Sequence, residues 1–141
     1  MTPPMRVIVT AAVIARGDAF LVTRRLRGAH LEGFWEFPGG KCDADEALAD
    51  CLRREILEEL DCAATVHDEV YSVAHAYDDR IVELHFFRCT LDGTPRPALG
   101  QDMQWVAREN LRSLAFPPAD AELIALLERG LDAIPRSSPA P

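Results

Sequence analysis

From Asp45 to Leu60 the apolar residues Leu48, Ala49, Leu52, Ile56 and Leu60 recur at three- and four-residue spacing. That period predicts an amphipathic helix with one face against a core, and Asp43 or Asp45 stands where its N-cap belongs. On the same helix Glu55, Glu58 and Glu59 fall within an arc of about 100°, beside the apolar stripe. Like charges at this spacing weaken a helix, and near its C-terminal end the macrodipole disfavours anions as well. A solvated acidic surface is the plain explanation of such a face. The neighbouring residues favour another, because Glu46 opens the segment, Arg54 precedes the acids and Gly39-Gly40 stands just before it. A divalent cation relieves carboxylate repulsion, and Mg²⁺ takes a few carboxylates together with water and phosphate oxygens. The acidic face therefore reads as a metal platform.

The rest of the chain is rich in β signals. Val7 to Ala15 and Ala19 to Thr23 flank Arg16-Gly17-Asp18 and predict a hairpin. A polar, irregular stretch from Arg24 to Gly33 leads to the aromatic run Phe34-Trp35-Glu36-Phe37. Pro38-Gly39-Gly40 ends that run and predicts a tight loop. Ala64 to Ala76 and Ile81 to Leu91, joined at Tyr77-Asp78-Asp79-Arg80, predict an antiparallel pair. Met103 to Ala107 follows as a short strand and Arg108 to Leu114 as a brief helix or turn. Pro117-Pro118 then opens a last helix with Leu123, Ile124, Leu126 and Leu127 inward. Strands and helices interleave without a βαβ repeat, which predicts an α+β fold with a mixed sheet covered by helices. With 141 residues, one domain over residues 1–134 is expected, and 135–141 reads as a disordered tail.

Composition narrows the partners. A net charge of −8 argues against duplex nucleic acid, whose phosphates are held by clustered Lys and Arg. An acidic chain can still hold a small polyphosphate if a metal supplies the positive charge. Cys42, Cys51, Cys62 and Cys89 form no C-x-x-C pair or zinc-site spacing, so they are expected to be reduced thiols in a cytoplasmic protein. Val7 to Ala15 is short for a signal-peptide core and runs directly into Arg16-Gly17-Asp18, so a first strand is the better reading. No apolar run approaches the roughly 20 residues of a membrane span.

Taken together, Gly40, Glu46, Arg54-Glu55-Ile56 and Glu58-Glu59, at their spacing, resemble the Nudix box. The box normally places Gly where this chain has Asp61, a position that ends the helix in a left-handed conformation that Asp tolerates. The resemblance covers residues 5 to 130 and is nearest to MutT-like 8-oxo-dGTP diphosphatases and related CTP pyrophosphohydrolases. Thr23-Arg24-Arg25, His30, Trp35 to Gly40, Trp105 and Phe116 to Asp120 extend it beyond the box. It implies a Nudix α/β/α sandwich with a mixed central sheet, and a monomer or homodimer. It also implies that Glu55, Glu58 and Glu59, with the Gly39 carbonyl, bind two or three Mg²⁺ or Mn²⁺ ions, and that an Arg54–Glu46 ion pair orients them.

For the nucleotide, the resemblance places Arg25 near phosphate or ribose, His30 in a loop over the substrate and Phe37 near the base. Tyr77, Asp79 and Arg80 would close the pocket. Phe37 reads equally as a core aromatic and His30 as an exposed loop residue. Asp120 stands where the enzymes strictest for oxidised guanine carry Asn, and an ionised Asp only accepts hydrogen bonds; it reads alternatively as a helix cap. The acid that many relatives place before the tryptophan is missing, with Leu99 and Gln104 at the expected places. Asp102 and Glu83 are the nearest substitutes, and the box carboxylates are favoured as the base. The leading expectation is an enzyme that removes 8-oxo-dGTP before DNA replication can misincorporate it. The alternatives are a pyrophosphohydrolase of CTP or 5-methyl-cytidine triphosphate, and a weakly active, regulatory nucleotide-binding module.

Overall fold

A computed structural model describes residues 3–130. The tail expected at 135–141 lies outside these residues, as do the last residues assigned to the domain. The strands are β1 (Met5–Arg16), β2 (Ala19–Arg24), β3 (Trp35–Glu36), β4 (Gly39–Lys41), β5 (Ala64–Ala76), β6 (Arg80–Leu91) and β7 (Met103–Ala107). The helices are α1 (Leu48–Leu60) and α2 (Ala121–Glu128), with 3₁₀ segments over Arg108–Ser113 and Pro118–Asp120.

β1 organises the sheet because it is long enough to pair with different partners along its length. It runs parallel to β6 from Met5↔Arg80 to Ile14↔Cys89, while β4 pairs antiparallel with it at Val9 to Ala11. Its last residues form the expected hairpin with β2, at Ala15↔Phe20 and Arg16↔Ala19. β2 then pairs antiparallel with both β3 and β7, and β5 closes the other side against β6. The sheet is mixed, as the interleaved elements predict. Pro38-Gly39-Gly40 differs from its expectation: Gly39–Lys41 pairs with β1 instead of forming only a loop. The pairing brings the backbone so close that a Cβ on Gly39 would lie within 3.0 Å of the Thr10 carbonyl.

Alternation along β1 builds the layers. Ala11 and Val13 join Phe20, Val22, Phe86, Val106, Leu123, Ile124 and Leu127 on the face covered by α2. Ala12 and Ile14 join Leu21, Leu52, Ile56, Leu60 and Cys89 on the face covered by α1. The result is the α/β/α sandwich that the box implies. Of the inward residues expected on the last helix, Leu123, Ile124 and Leu127 are buried, whereas Leu126 is only partly so.

The start of α1 corrects another expectation. Neither Asp43 nor Asp45 caps it: the N-cap is Ala47, without a side-chain cap, and Asp45 lies at φ 68° in the preceding turn. Glu46 stiffens that turn by accepting the Asp43 N–H at 2.9 Å. At the other end Asp61 adopts φ 52°, ψ 45° and donates its N–H to the Leu57 carbonyl at 3.0 Å, the left-handed ending expected of the box Gly. Arg96 pairs with the Asp61 carboxylate, placing a cation at the helix C-terminus.

The cysteines also differ from their expectation. Cys62 and Cys89 are free and buried, but Cys42 and Cys51 are joined as a disulfide. The chain turns back between β4 and α1 and brings their Cα atoms to 5.3 Å, a tertiary approach that spacing alone does not reveal.

Candidate active site

Arg54 organises the acidic face. Its Nε and Nη2 donate to the two Glu46 oxygens, each at 2.9 Å. Nη1 donates to Glu55 at 2.9 Å and, more weakly, to Glu58 at 3.4 and 3.5 Å. Nη2 also reaches the Lys41 carbonyl at 3.1 Å, tying α1 to β4. These contacts hold the Glu46 carboxyl far below the ordinary range, at about 2. The Arg54–Glu46 pair expected from the box is therefore present and bidentate.

Glu55 packs over Gly40, where any Cβ would come within 3.0 Å of its carboxylate, so Gly40 leaves the space in which that carboxylate sits. Burial raises the Glu55 pKa against the opposing pull of Arg54. Glu59 is deeper. Burial, with Glu36 and Glu55 nearby, pushes it up to about 8, against the lowering effect of a backbone hydrogen bond from Gly39. Its backbone is fixed too, since the Glu59 carbonyl accepts from the Ala98 N–H and from Gln101 Nε2, both at 3.0 Å. A loop thus satisfies a carbonyl that the helix end leaves unpaired.

Glu55 and Glu59 face a cavity of about 460 Å³ bounded by β1, β6, β3–β4 and the 3₁₀ segment at Pro118. Gly39, Arg25, His30, Phe37, Tyr77, Arg80 and Asp120 line it as well. Glu58 stands outside this lining, more than half exposed, and Asp79 is exposed and does not line it.

Arg25 donates to Glu36 at 2.7 Å and to the His30 carbonyl, anchoring the 26–33 loop to β3. His30 meets Tyr77 edge-on at 6.4 Å, and Arg80 lies 5.6 Å from the Tyr77 ring. The loop and the β5–β6 hairpin therefore meet over the cavity. Phe37 is a core aromatic, 3% exposed and stacked on Phe116 at 5.4 Å, and it also lines the cavity.

Asp120 stands at the N-cap position of α2, as the alternative reading expects, but its side chain makes no capping bond. It is 6% exposed, and burial, with Glu36 adding repulsion, pushes its pKa to about 7. A carboxyl half-protonated near neutrality donates as well as accepts, unlike the ionised Asp assumed from sequence.

The two substitutes for the missing acid are not in the cavity. Asp102 is exposed and pairs with Arg24 at 3.5 Å. Alternation along β6 turns Val82 and Leu84 into the cavity and Glu83 to the other face, where it binds Arg6 and His85. Leu99 and Gln101 occupy this side of the cavity instead.

Sequence reasoning missed two residues of the site. Glu36 lies within electrostatic reach of both Glu59 and Asp120; its signal was a lone acid inside an aromatic run. Gln101 is buried, accepts from the Leu99 N–H and steadies the Glu59 carbonyl; nothing in its neighbourhood of the sequence marked it.

The chain is similar to known proteins. The chain is 34% identical over 117 residues to the CTP pyrophosphohydrolase of Escherichia coli K12, covering 82% of this chain and 87% of that protein. It is 35% identical over 123 residues to the 8-oxo-dGTP diphosphatase of Haemophilus influenzae, covering 84% and 90%. The solution structure of the E. coli ORF135 protein superposes with a TM-score of 0.82 at 31% identity, covering 95% and 96%. The NUDIX domain family model matches residues 9–126, which hold the carboxylate helix and all of the cavity lining except Val7, and the chain belongs to the Nudix hydrolase family.

Proposed function

We propose that this chain uses Mg²⁺ or Mn²⁺ to hydrolyse nucleoside triphosphates to the monophosphate and pyrophosphate, with 8-oxo-dGTP as its substrate. The donor set fits a divalent cation. Glu55 and Glu59 are neighbouring acids facing one cavity, both raised by burial, and a dication offsets that penalty. Glu58 and the Gly39 carbonyl complete the proposed ligands. When bound, the metal lowers the pKa of a water and stabilises negative charge developing on the phosphates. The protein's own part is to exclude bulk water, orient the carboxylates through Arg54 and accept a proton on a box glutamate. Arg25, His30, Tyr77 and Arg80 hold the phosphate and sugar side from the cavity mouth. Asp79 lies beside this group and contributes through the hairpin turn.

The base assignment rests on one observation, the buried Asp120 carboxyl with a pKa near 7. Guanine presents two acceptors on its O6–N7 edge, whereas oxidation at C8 turns N7 into an N–H donor beside the O6 acceptor. A protonated carboxyl matches that donor–acceptor pair and mismatches the O6–N7 edge of ordinary guanine. In this reading the protein acts in the cytoplasm, where it limits mispairing during DNA replication.

A second reading, hydrolysis of CTP or 5-methyl-cytidine triphosphate, is favoured by the similarity to the E. coli CTP pyrophosphohydrolase. Cytosine also presents a donor beside an acceptor. Pyrophosphate release across canonical, oxidised and methylated triphosphates decides between them. The first reading requires the highest kcat/KM on 8-oxo-dGTP; a preference for cytidine substrates of about 10-fold, worth about 1.4 kcal/mol, would replace it with the second.

A further inference from the structure

Cys42 and Cys51 take no part in the chemistry described above, yet they enclose the segment on which that chemistry depends. Cys42 follows β4 directly, and its N–H is bound to the Ile8 carbonyl at 2.9 Å. Cys51 is fully buried near the start of α1, with its sulfur 3.2 Å from Thr10 Oγ1. Between them lies Glu46, with a carboxylate oxygen within 4.8 Å of both sulfurs. The same carboxylate grips Arg54 through both its oxygens, and Arg54 in turn holds Glu55 and Glu58.

Besides the Arg54 ion pairs with Glu46 and Asp43 and the Asp43 N–H bond to the Glu46 carboxylate, the turn carrying Glu46 has few other anchors. Asp45 is in the left-handed region and Ala47 provides no capping side chain. The Glu46 N–H reaches only as far as the Asp43 carbonyl, at 3.1 Å, within the turn itself. The Cys42–Cys51 bond closes this turn onto the helix.

We infer that Cys42 and Cys51 form a reversible thiol–disulfide site whose oxidised state holds Glu46 on Arg54 and thereby positions the carboxylates of α1. In the forward direction two thiols lose two protons and two electrons to a disulfide or peroxide oxidant. In reverse, a dithiol attacks Cys42, whose sulfur lies on the more accessible of the two residues, and Cys51 leaves as a thiolate that is then protonated. A second attack within the dithiol frees Cys42 and leaves the reductant oxidised. With the bond open, the turn is held by hydrogen bonds and the Arg54 ion pairs without a covalent tie, and Glu46 competes less well for Arg54. Arg54 then stays on Glu55 and Glu58, where it opposes a cation. Cys42 and Cys51 are thus positioning residues for the metal site proposed above, on which this inference rests.

The test uses the full chain, first oxidised and then treated with a dithiol. Alkylation in denaturant should count two free thiols in the oxidised protein and four in the reduced one. Direct Mn²⁺ binding, measured without nucleotide, should weaken by about 5-fold on reduction, a smaller change than deletion of an outer-shell partner causes. Hydrogen exchange over residues 42–51 should accelerate in parallel. Cys42→Ser should bind Mn²⁺ like the reduced protein and ignore the dithiol; Cys42→Ala serves equally should the serine variant fail to fold. Four thiols under both conditions, equal Mn²⁺ affinity in both states, or one Zn²⁺ per chain retained by the two cysteines would each overturn the inference. Because thiol counting and Mn²⁺ binding need no substrate, they stand whichever triphosphate the enzyme prefers. Equal but normal Mn²⁺ affinity in both states would reject the redox site alone, while absence of Mn²⁺ binding in both would reject the metal site beneath it.

Discussion

Arg54 and Glu46 are eight residues apart in sequence, yet they meet through two hydrogen bonds of 2.9 Å across the turn that precedes α1. The contact makes Arg54 a bracket: one side fixed to the turn, the other presenting Glu55 and Glu58. Glu46→Gln keeps the size but removes the charge that fixes the bracket. It is expected to lower kcat by about 10- to 100-fold and to weaken Mn²⁺ binding, with the circular dichroism spectrum unchanged. Steady-state kinetics at several metal concentrations checks this.

Glu58 and Glu59 should respond alike in catalysis despite their different exposure. Each change to Gln removes a proposed metal ligand and should reduce kcat by at least about 100-fold without unfolding the protein. Glu58 is exposed, so its variant should also melt at the wild-type temperature. Wild-type turnover by Glu58→Gln with Mg²⁺ would remove it from the ligand set.

Gly40 and Gly39 should separate site damage from fold damage. In Gly40→Ala the new Cβ meets the Glu55 carboxylate, a movable side chain, so turnover should fall by about 100-fold with little loss of stability. In Gly39→Ala it meets the Thr10 and Ala11 backbone, which cannot move without opening the β1–β4 pairing. Destabilisation of about 1–3 kcal/mol is expected in urea denaturation.

Asp120 gives the site a pH dependence with a definite sign. Its pKa is raised from 3.8 to about 7 in the folded protein. Its contribution to stability is therefore present below about pH 4 and lost as pH rises through about 7, a difference of about 4 kcal/mol at full ionisation. Asp120→Asn should flatten that part of the stability profile, measured as the difference between the two proteins. It should also abolish the rise in KM for 8-oxo-dGTP expected of the wild type above about pH 7. An unchanged KM profile in the variant would show that Asp120 does not contact the base.

The amphipathic period of 48–60 and the Glu/Arg spacing were legible in the sequence because a helix sets both by geometry local to the chain. The β-hairpins were legible for the same reason, through alternation and turn residues. Local pattern failed where a contact joins distant segments. Gly39–Lys41 became a strand because β1 was available to pair with it. Cys42 and Cys51 met because the chain reverses before α1.

Chemistry and environment divide in the same way. The sequence by itself determined the helix, the three acids beside its apolar face and the class of ligand they suit, since these follow from residue type and the helical period. Only the tertiary structure decided that Glu55 and Glu59 face the cavity while Glu58, like Glu83 and Asp102, stands outside its lining. It also decided that Asp120 is buried enough to hold a proton near neutrality. A pKa depends on which groups and how much water surround a carboxyl, and those neighbours come from segments that no local pattern connects.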